Sequence, residues 1–390
     1  MRVCFVSHTA GRGGAELALL ELLEGLIAKG IDCKVLIPKR GPLLEQLDRL
    51  NVEWKIIGYS RWIASRRHAW MPGRIQRTVK ALLLTIPMAR TIKKWQCDVV
   101  CSNTVAIGIG ALAARLAGCP HVWHLHEFAD RDPNLMFDLG IHGTIRLMER
   151  LSVAFIANSY AVAIDYAKYI SQQKLRMIYQ AVTVPSQIEK AERDLDKRVF
   201  TCVIVGSINF AKGQDEAVLA LAEVVRRGID AKLLIIGDGN KRFCKALGQQ
   251  IYNLGLGNRV NFVGYAKNPT RFFQEADVVL VCSRWEAFGR ATVEAMLAGM
   301  PVIATSNSGG TAELIQDGKI GLLYESGNYD ELATKIQYLY ENPDERSNLG
   351  TAAQIWSAGR FTQERYAKEV FDLFNEVLIM EKSKKGKYYS

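Results

Sequence analysis

Apolar residues in this chain fall into short continuous blocks, separated by stretches in which they recur every three or four positions. Arg2 to Ser7, Cys33 to Pro38, Asp98 to Ser102, His121 to Leu125 and Val153 to Ala157 are blocks too short for helices. Such blocks read as strands buried on both faces of a parallel sheet. Helical stretches alternate with them, the first running from a glycine-rich turn after Ser7 to about Gly30. From about Ala181 to Arg198 the pattern gives way to polar and charged residues around Pro185, and then Phe200 to Val205 restarts it. Ala231 to Ile236, Arg259 to Val263 and Asp277 to Val281 follow as strands, with helices closing near Gly228 and Gly255. This alternation predicts two doubly wound α/β domains with a cleft between the carboxyl ends of their strands. The expected division is 1–182, a linker over 183–199, 200–360, an amphipathic helix over 361–380 and a basic tail over 381–390. Tyr366, Val370, Phe371, Phe374 and Leu378 form the apolar stripe of that last helix.

The richest stretch is Cys282 to Glu313. A strand ends in a polar turn, and Val293, Met296 and Leu297 then recur at helical spacing until Gly299 and Pro301 stop the helix. The helix is expected to start near Gly289, leaving the free N–H groups of Phe288, Gly289 and Arg290 at its head, where a phosphate or an electron-rich sugar oxygen is attracted. Glu286 and Glu294 frame that head. Taken alone, two glutamates eight positions apart also describe a sheet-packing helix with solvated acids. The full string is more specific. Glu286-Ala-Phe-Gly, Glu294-Ala-Met, Gly299, Pro301 and Gly309-Gly310 through Glu313 resemble the signature of the retaining glycosyltransferases of family four.

That resemblance implies two Rossmann-like domains facing a cleft, the GT-B architecture, with the terminal helix crossing back to the first domain. It also implies transfer of a sugar from a nucleoside-diphosphate donor to a glycan or lipid-linked acceptor, with retention at the anomeric carbon and no metal or other cofactor. Cell-surface or exopolysaccharide assembly is the expected setting. In such an enzyme Glu294 meets ribose hydroxyls, Tyr265 borders the base, and Glu286 with the Phe288 and Gly289 amides positions the sugar. The turns Gly206-Ser207 to Lys212 and Gly237-Asp-Gly239 hold the diphosphate. Lys212 has clear chemistry of its own: a fixed ammonium stabilises the charge that develops on a departing diphosphate. Family members usually carry arginine where this chain has Ser207. Arg284, Arg290 or Arg12 is then expected to supply the missing cation, or the phosphate grip is weaker. In the first domain, Gly11, Gly13 and Gly14 let backbone N–H groups approach a bound diphosphate or sugar. Glu16 and the basic Lys39-Arg40 argue against a dinucleotide fingerprint there. His126 matches the family's histidine and is expected beside the transferred sugar or the acceptor. His121 and His124 point to opposite faces of one strand, which argues against a three-histidine metal site. The lone Asp130-Arg-Asp132 is discounted as a metal motif.

Composition limits the remaining choices. Half of the 390 residues are hydrophobic (49%), enough for two cores. No apolar run is long enough to span a bilayer, and the amino terminus enters a strand without a leader, so a cytoplasmic protein is expected, with peripheral attachment at the inner membrane face as an option. Eight cysteines lie without C-x-x-C pairs and read as buried thiols. The net charge is +10, and no Asp or Glu occurs between Trp54 and Cys97. Arg61, Arg66, Arg67, Arg74 and Arg77 accumulate there among Trp62, Trp70, Ile75, Leu82 and Trp95. Two readings of this segment stand equal: a basic, aromatic surface for an anionic membrane, and an ordinary solvated helix pair. Nucleic acid is not expected, since no recognition motif accompanies the charge. Other activities on the same architecture are a sugar-nucleotide epimerase, a phosphorylase, or a non-catalytic sugar-nucleotide binder.

Overall fold

The computed structural model describes residues 1–64, 71–131, 136–184 and 199–386. Contacts divide the chain into two units, Met1–Ala181 with Thr362–Ser390, and Val182–Phe361. Arg66, Arg67, Trp70, Asp132, Pro185 and most of the expected linker lie outside the described residues.

The strands of the first unit are β1 (Arg2–Ser7), β2 (Asp32–Ile37), β3 (Glu53–Ile56), β4 (Ile63–Ala64), β5 (Val99–Asn103), β6 (His121–Leu125), β7 (Met136–Phe137), β8 (Ala154–Ala157) and β9 (Leu175–Met177). Seven of them form a parallel sheet in the order β3-β2-β1-β5-β6-β8-β9, while β4 and β7 pair antiparallel by themselves. The helices are α1 (Gly14–Ala28), α2 (Leu43–Arg49), α3 (Met71–Lys94), α4 (Ile109–Ala117), α5 (Gly140–Leu151) and α6 (Tyr160–Ala167). In the second unit, β10 (Phe200–Val205), β11 (Ala231–Ile236), β12 (Val260–Gly264), β13 (Val278–Val281), β14 (Val302–Thr305) and β15 (Leu322–Tyr324) make a parallel sheet ordered β12-β11-β10-β13-β14-β15. Its helices are α7 (Gln214–Arg226), α8 (Lys241–Asn253), α9 (Arg290–Leu297), α10 (Gly310–Leu314), α11 (Tyr329–Glu341) and α12 (Pro343–Ala358).

Strand order reverses direction between β1 and β5 in one unit and between β10 and β13 in the other. Loops leaving the carboxyl ends of those neighbours diverge and open a crevice, the favoured ligand position in open α/β sheets. The second sheet carries an apolar core on each face: Val218, Leu221 and Leu332 pack on one side, Met296, Ala298 and Met300 on the other. The C-terminal helix α13 (Gln363–Gly386) belongs to the first unit, where Tyr366, Val370 and Phe374 join the core beside α1. It runs past the expected end at 380 to Gly386, because no helix breaker intervenes before that glycine. Gly25 permits the close approach of α1 to α13, since a Cβ there would lie 2.6 Å from the Ala367 Cβ.

Candidate functional site

The second unit builds its site at the carboxyl ends of β10 and β13. After β10, Gly206 adopts φ +146° and the chain enters a short 3-10 turn, Phe210–Lys212, capped by the Asn209 side chain, which accepts from the Ala211 N–H at 2.9 Å. Gly213 closes the turn at φ +66°, and a Cβ there would sit 2.0 Å from the Cys282 carbonyl oxygen, so the turn is pressed against the loop after β13. That approach brings Lys212 to Glu286: Lys212 Nζ lies 2.5 Å from Glu286 Oε2, and Ser283 Oγ donates to the same oxygen at 3.0 Å. Glu286 is held by its backbone, its N–H donating to the Ser308 carbonyl and its carbonyl accepting from Gly310.

Arg284 stitches the same two loops. It donates two bonds of 2.9 Å to the Asp215 carboxylate and one of 2.6 Å to the Phe210 carbonyl, and stacks 4.0 Å over the Phe210 ring. Arg290 turns along α9 to Glu294, Nε to Oε1 3.0 Å. Arg12, in the other unit, lies 3.7 Å from Glu45. Each arginine considered as a substitute for the one missing at Ser207 therefore faces a carboxylate. Ser207 contributes its carbonyl to Gln214 Nε2 at 3.1 Å.

Helix α9 begins at Arg290 with Gly289 as its cap in a left-handed conformation, φ +94°. A Cβ on Gly289 would meet Thr311 Oγ1 at 2.4 Å, so α9 and α10 meet head to head. Phe288 is buried and packs edge-on against Phe361, ring centres 5.9 Å apart, so its side chain serves packing. Tyr265 stands 55% exposed just beyond β12, free to lie against a planar ligand. Gly237 and Gly239 lack side chains for a local reason: a Cβ on either would collide with the backbone of Gly206 or Ile208, at 2.0 and 2.1 Å. Their smallness lets the loops after β10 and β11 pack backbone on backbone.

The glycine loop of the first unit is built differently. Glu16 reaches back from α1 and accepts from the Gly13 N–H at 3.1 Å, and its other oxygen takes the Thr9 hydroxyl. The Gly13 amide is thus occupied by the protein itself, whereas Gly14 has no neighbour within 4 Å of where a Cβ would be. His126 follows β6, with Nε2 2.9 Å from Asn103 Oδ1 and its ring 4.2 Å from that of His124. His124 in turn lies 3.3 Å from the Tyr366 hydroxyl of α13. His121 is remote from them, bonded between Ser102 and Ser152. Burial lowers the His121 and His124 imidazoles to about 3 and holds His126 well below the ordinary range, so all three are neutral at pH 7.

Sequence reasoning missed Glu127. It accepts from the Val105 N–H at 3.2 Å, and burial raises its carboxyl to about 7. The side chain retains some surface exposure, so solvent moderates that shift. Its only signal in the chain is an acid at a strand end among apolar residues. Ser283 and Asp215 were also missed: Ser283 gains meaning from Glu286 three positions on in the same loop, and Asp215 only from Arg284, 69 positions away. Among the described residues, no group of three His, Cys, Asp or Glu side chains is placed to hold a metal, and Asp130 is engaged by Tyr169 and Lys168.

Two corrections concern the basic segment. Arg77 is not free surface charge: it forms bonds of 2.9 and 2.5 Å to Asp138, an acid 61 positions later that the acid-free stretch concealed. Trp62 and Trp95 are not a surface aromatic set either. Trp62 stacks on the buried Trp123 at 5.7 Å, and Trp95 is 8% exposed and donates to Glu53.

Against this geometry, residues 12–184 match the family described as Glycosyltransferase Family 4, and residues 185–356 match glycosyl transferases group 1. The chain belongs to the group 1, family four glycosyltransferases. Among its relatives in that family is the N-acetyl-alpha-D-glucosaminyl L-malate synthase of Bacillus anthracis, 32% identical over 47% of this chain and 48% of the relative, so that match spans about half of that protein's length. The alpha-monoglucosyldiacylglycerol synthase of Acholeplasma laidlawii is 22% identical over 96% of both chains. Alr3699/HepE of Anabaena, solved with UDP-glucose, superimposes with a TM-score of 0.79 at 26% identity, over 96% of this chain and 100% of that one. The two parallel-sheet domains are those of the GT-B fold.

Proposed function

We propose that this chain moves a sugar from a nucleoside-diphosphate donor to a glycan or lipid-linked acceptor, with retention of anomeric configuration and without a metal. The observation that carries this reading is the 2.5 Å pair of Lys212 with Glu286 at the carboxyl ends of β10 and β13. A bound diphosphate offers Lys212 a second, stronger anionic partner, and Glu286, released from it, turns to the hydroxyls of the transferred sugar. Glu294 receives the ribose hydroxyls, Tyr265 borders the base, and the amides at the head of α9 face the sugar. The acceptor oxygen attacks the face that the leaving group departs, the anomeric carbon–oxygen bond to phosphate breaks, and the departing phosphate oxygen takes the acceptor proton. His126, neutral and oriented by Asn103, hydrogen-bonds a hydroxyl of sugar or acceptor. The UDP-glucose complex of Alr3699/HepE favours a uridine donor, and the name of the Acholeplasma relative favours a glycerolipid acceptor at a membrane surface.

Glu286→Gln tests the assignment. Turnover of UDP-glucose with membrane lipid extract should fall by about 100-fold or more, while UDP affinity measured by calorimetry stays within about threefold. Full turnover by this variant would remove Glu286 from the chemistry. Product formed by the wild type without acceptor, or only with inorganic phosphate, would point instead to an epimerase or a phosphorylase.

A further inference from the structure

Helix α3 (Met71–Lys94) carries two apolar faces. Met88, Ala89 and Ile92 on one face are buried in the core beside α4. On the other, Ile75, Val79, Leu82, Leu83 and Ile86 stand in water, from 49% exposed at Val79 to 68% at Leu83. At 3.6 residues per turn these five fall within an arc of about 100°, so they form one continuous stripe along three turns. Single exposed aliphatic residues are ordinary, but a contiguous stripe marks a surface that is covered in use. Charge says by what. Arg90 and Lys93 continue the same face toward the carboxyl end, and Lys80 and Lys94 flank it. Among the described residues, none of these four has a carboxylate partner.

We propose that α3 lies in the headgroup layer of an anionic bilayer, its aliphatic stripe among the acyl chains and its lysines and arginine on lipid phosphates. The proposal deepens the acceptor half of the function above and rests on that half; the donor site does not enter into it. A second copy of the chain fits less well, because α3 carries no Asp or Glu, so this face paired with itself offers no anion to its own lysines and arginine. The docking element therefore differs from the one the basic composition suggested: aliphatic residues drive insertion, with Arg77 tied to Asp138 and Trp62 turned inward.

The full chain is sedimented with sucrose-loaded vesicles of phosphatidylcholine containing about 30% phosphatidylglycerol, and with phosphatidylcholine alone. Wild type should pellet with the anionic vesicles, and about 0.5 M salt should weaken that binding about three- to tenfold. Leu83→Ser with Ile86→Ser should weaken binding about tenfold or more, and Lys80→Gln with Lys93→Gln about three- to tenfold. UDP affinity, measured without vesicles, should be unchanged in all variants, so a failure of the donor reading and a failure of this one are separable. Wild type remaining in the supernatant with both vesicle types would overturn the proposal, as would equal pelleting of the serine variant. A concentration-dependent dimer abolished by the serine changes would assign the stripe to a second copy and overturn it as well.

Discussion

Both units place a glycine loop at the end of the first strand of a parallel sheet, beside the point where strand order reverses, yet the two loops are built for different ends. In the first unit the loop is closed by its own acid: Glu16 accepts the Gly13 amide and the Thr9 hydroxyl, and neutral histidines stand nearby. In the second unit Gly213, Gly237 and Gly239 press against neighbouring backbone, and Lys212 is held by an acid from a different loop. A charge paired with a removable partner can be handed to a ligand. The Gly13 amide, bonded to the Glu16 carboxylate, is released to a ligand only by giving up that capping interaction. On the function proposed above, the same topological position serves as an anion grip in one unit and as a neutral hydroxyl-binding surface in the other.

The largest effect expected from this contrast is at Gly213. Gly213→Ala forces a left-handed conformation and a collision with the Cys282 carbonyl, and should cost more than about 3 kcal/mol, read as a lowered denaturation midpoint. A mild change would mean that the turn is not pressed against the β13 loop. Lys212→Ala should weaken UDP binding about 10- to 100-fold, the size of a charge-assisted contact, measured by calorimetry; unaltered affinity would end the claim that this loop is the anion grip. Arg284→Lys breaks the two-pronged bond to Asp215 and should lower stability by about 1–2 kcal/mol while leaving UDP affinity within about twofold. A tenfold loss of affinity would show instead that Arg284 replaces the cation missing at Ser207.

Glu127 tests the neutral character of the first unit. Burial raises its carboxyl from 4.5 to about 7, so the folded protein holds a proton that the unfolded chain releases between those values. Its stabilising contribution is complete below about pH 4.5 and is lost as pH rises through 7. Glu127→Gln should therefore gain on wild type between pH 5 and 8 by about 1–2 kcal/mol, a figure reduced for the side chain's partial exposure, with no gain at pH 4.5. A constant difference across that range would contradict the assignment. Smallest is Gly14→Ala, where nothing would touch the new methyl; it should stabilise α1 by about 0.5–1 kcal/mol, in direct contrast to Gly213→Ala.

Much of the second unit was legible in the chain. Glu286, Gly289, Glu294, Gly299 and Pro301 are local in sequence, and the helix between them follows from apolar spacing and a glycine stop. What could not be read was who meets whom. Lys212 and Glu286 are 74 positions apart, and Arg77 and Asp138 are 61 apart. The acid-free run from Trp54 to Cys97 counted Arg77 as unpaired because a one-dimensional charge count contains no Asp138. Trp62 looked like a surface residue for the same reason, since Gly108 and Trp123, which lie against its ring, are remote in sequence.

The sequence by itself determined the central strands of both parallel sheets, the helices between them and which acids stand at the head of α9, because periodicity, glycine and proline act over a few residues; the short strands β3, β4, β7 and β9 carry no such local signal. Tertiary structure alone decided which cation each acid holds, which glycines press against a neighbouring backbone, and that α3 turns an aliphatic stripe to solvent. The physical reason is distance. Hydrogen bonds and ion pairs act over about 3–4 Å, and only the order of strands in each sheet determines which remote loops come that close.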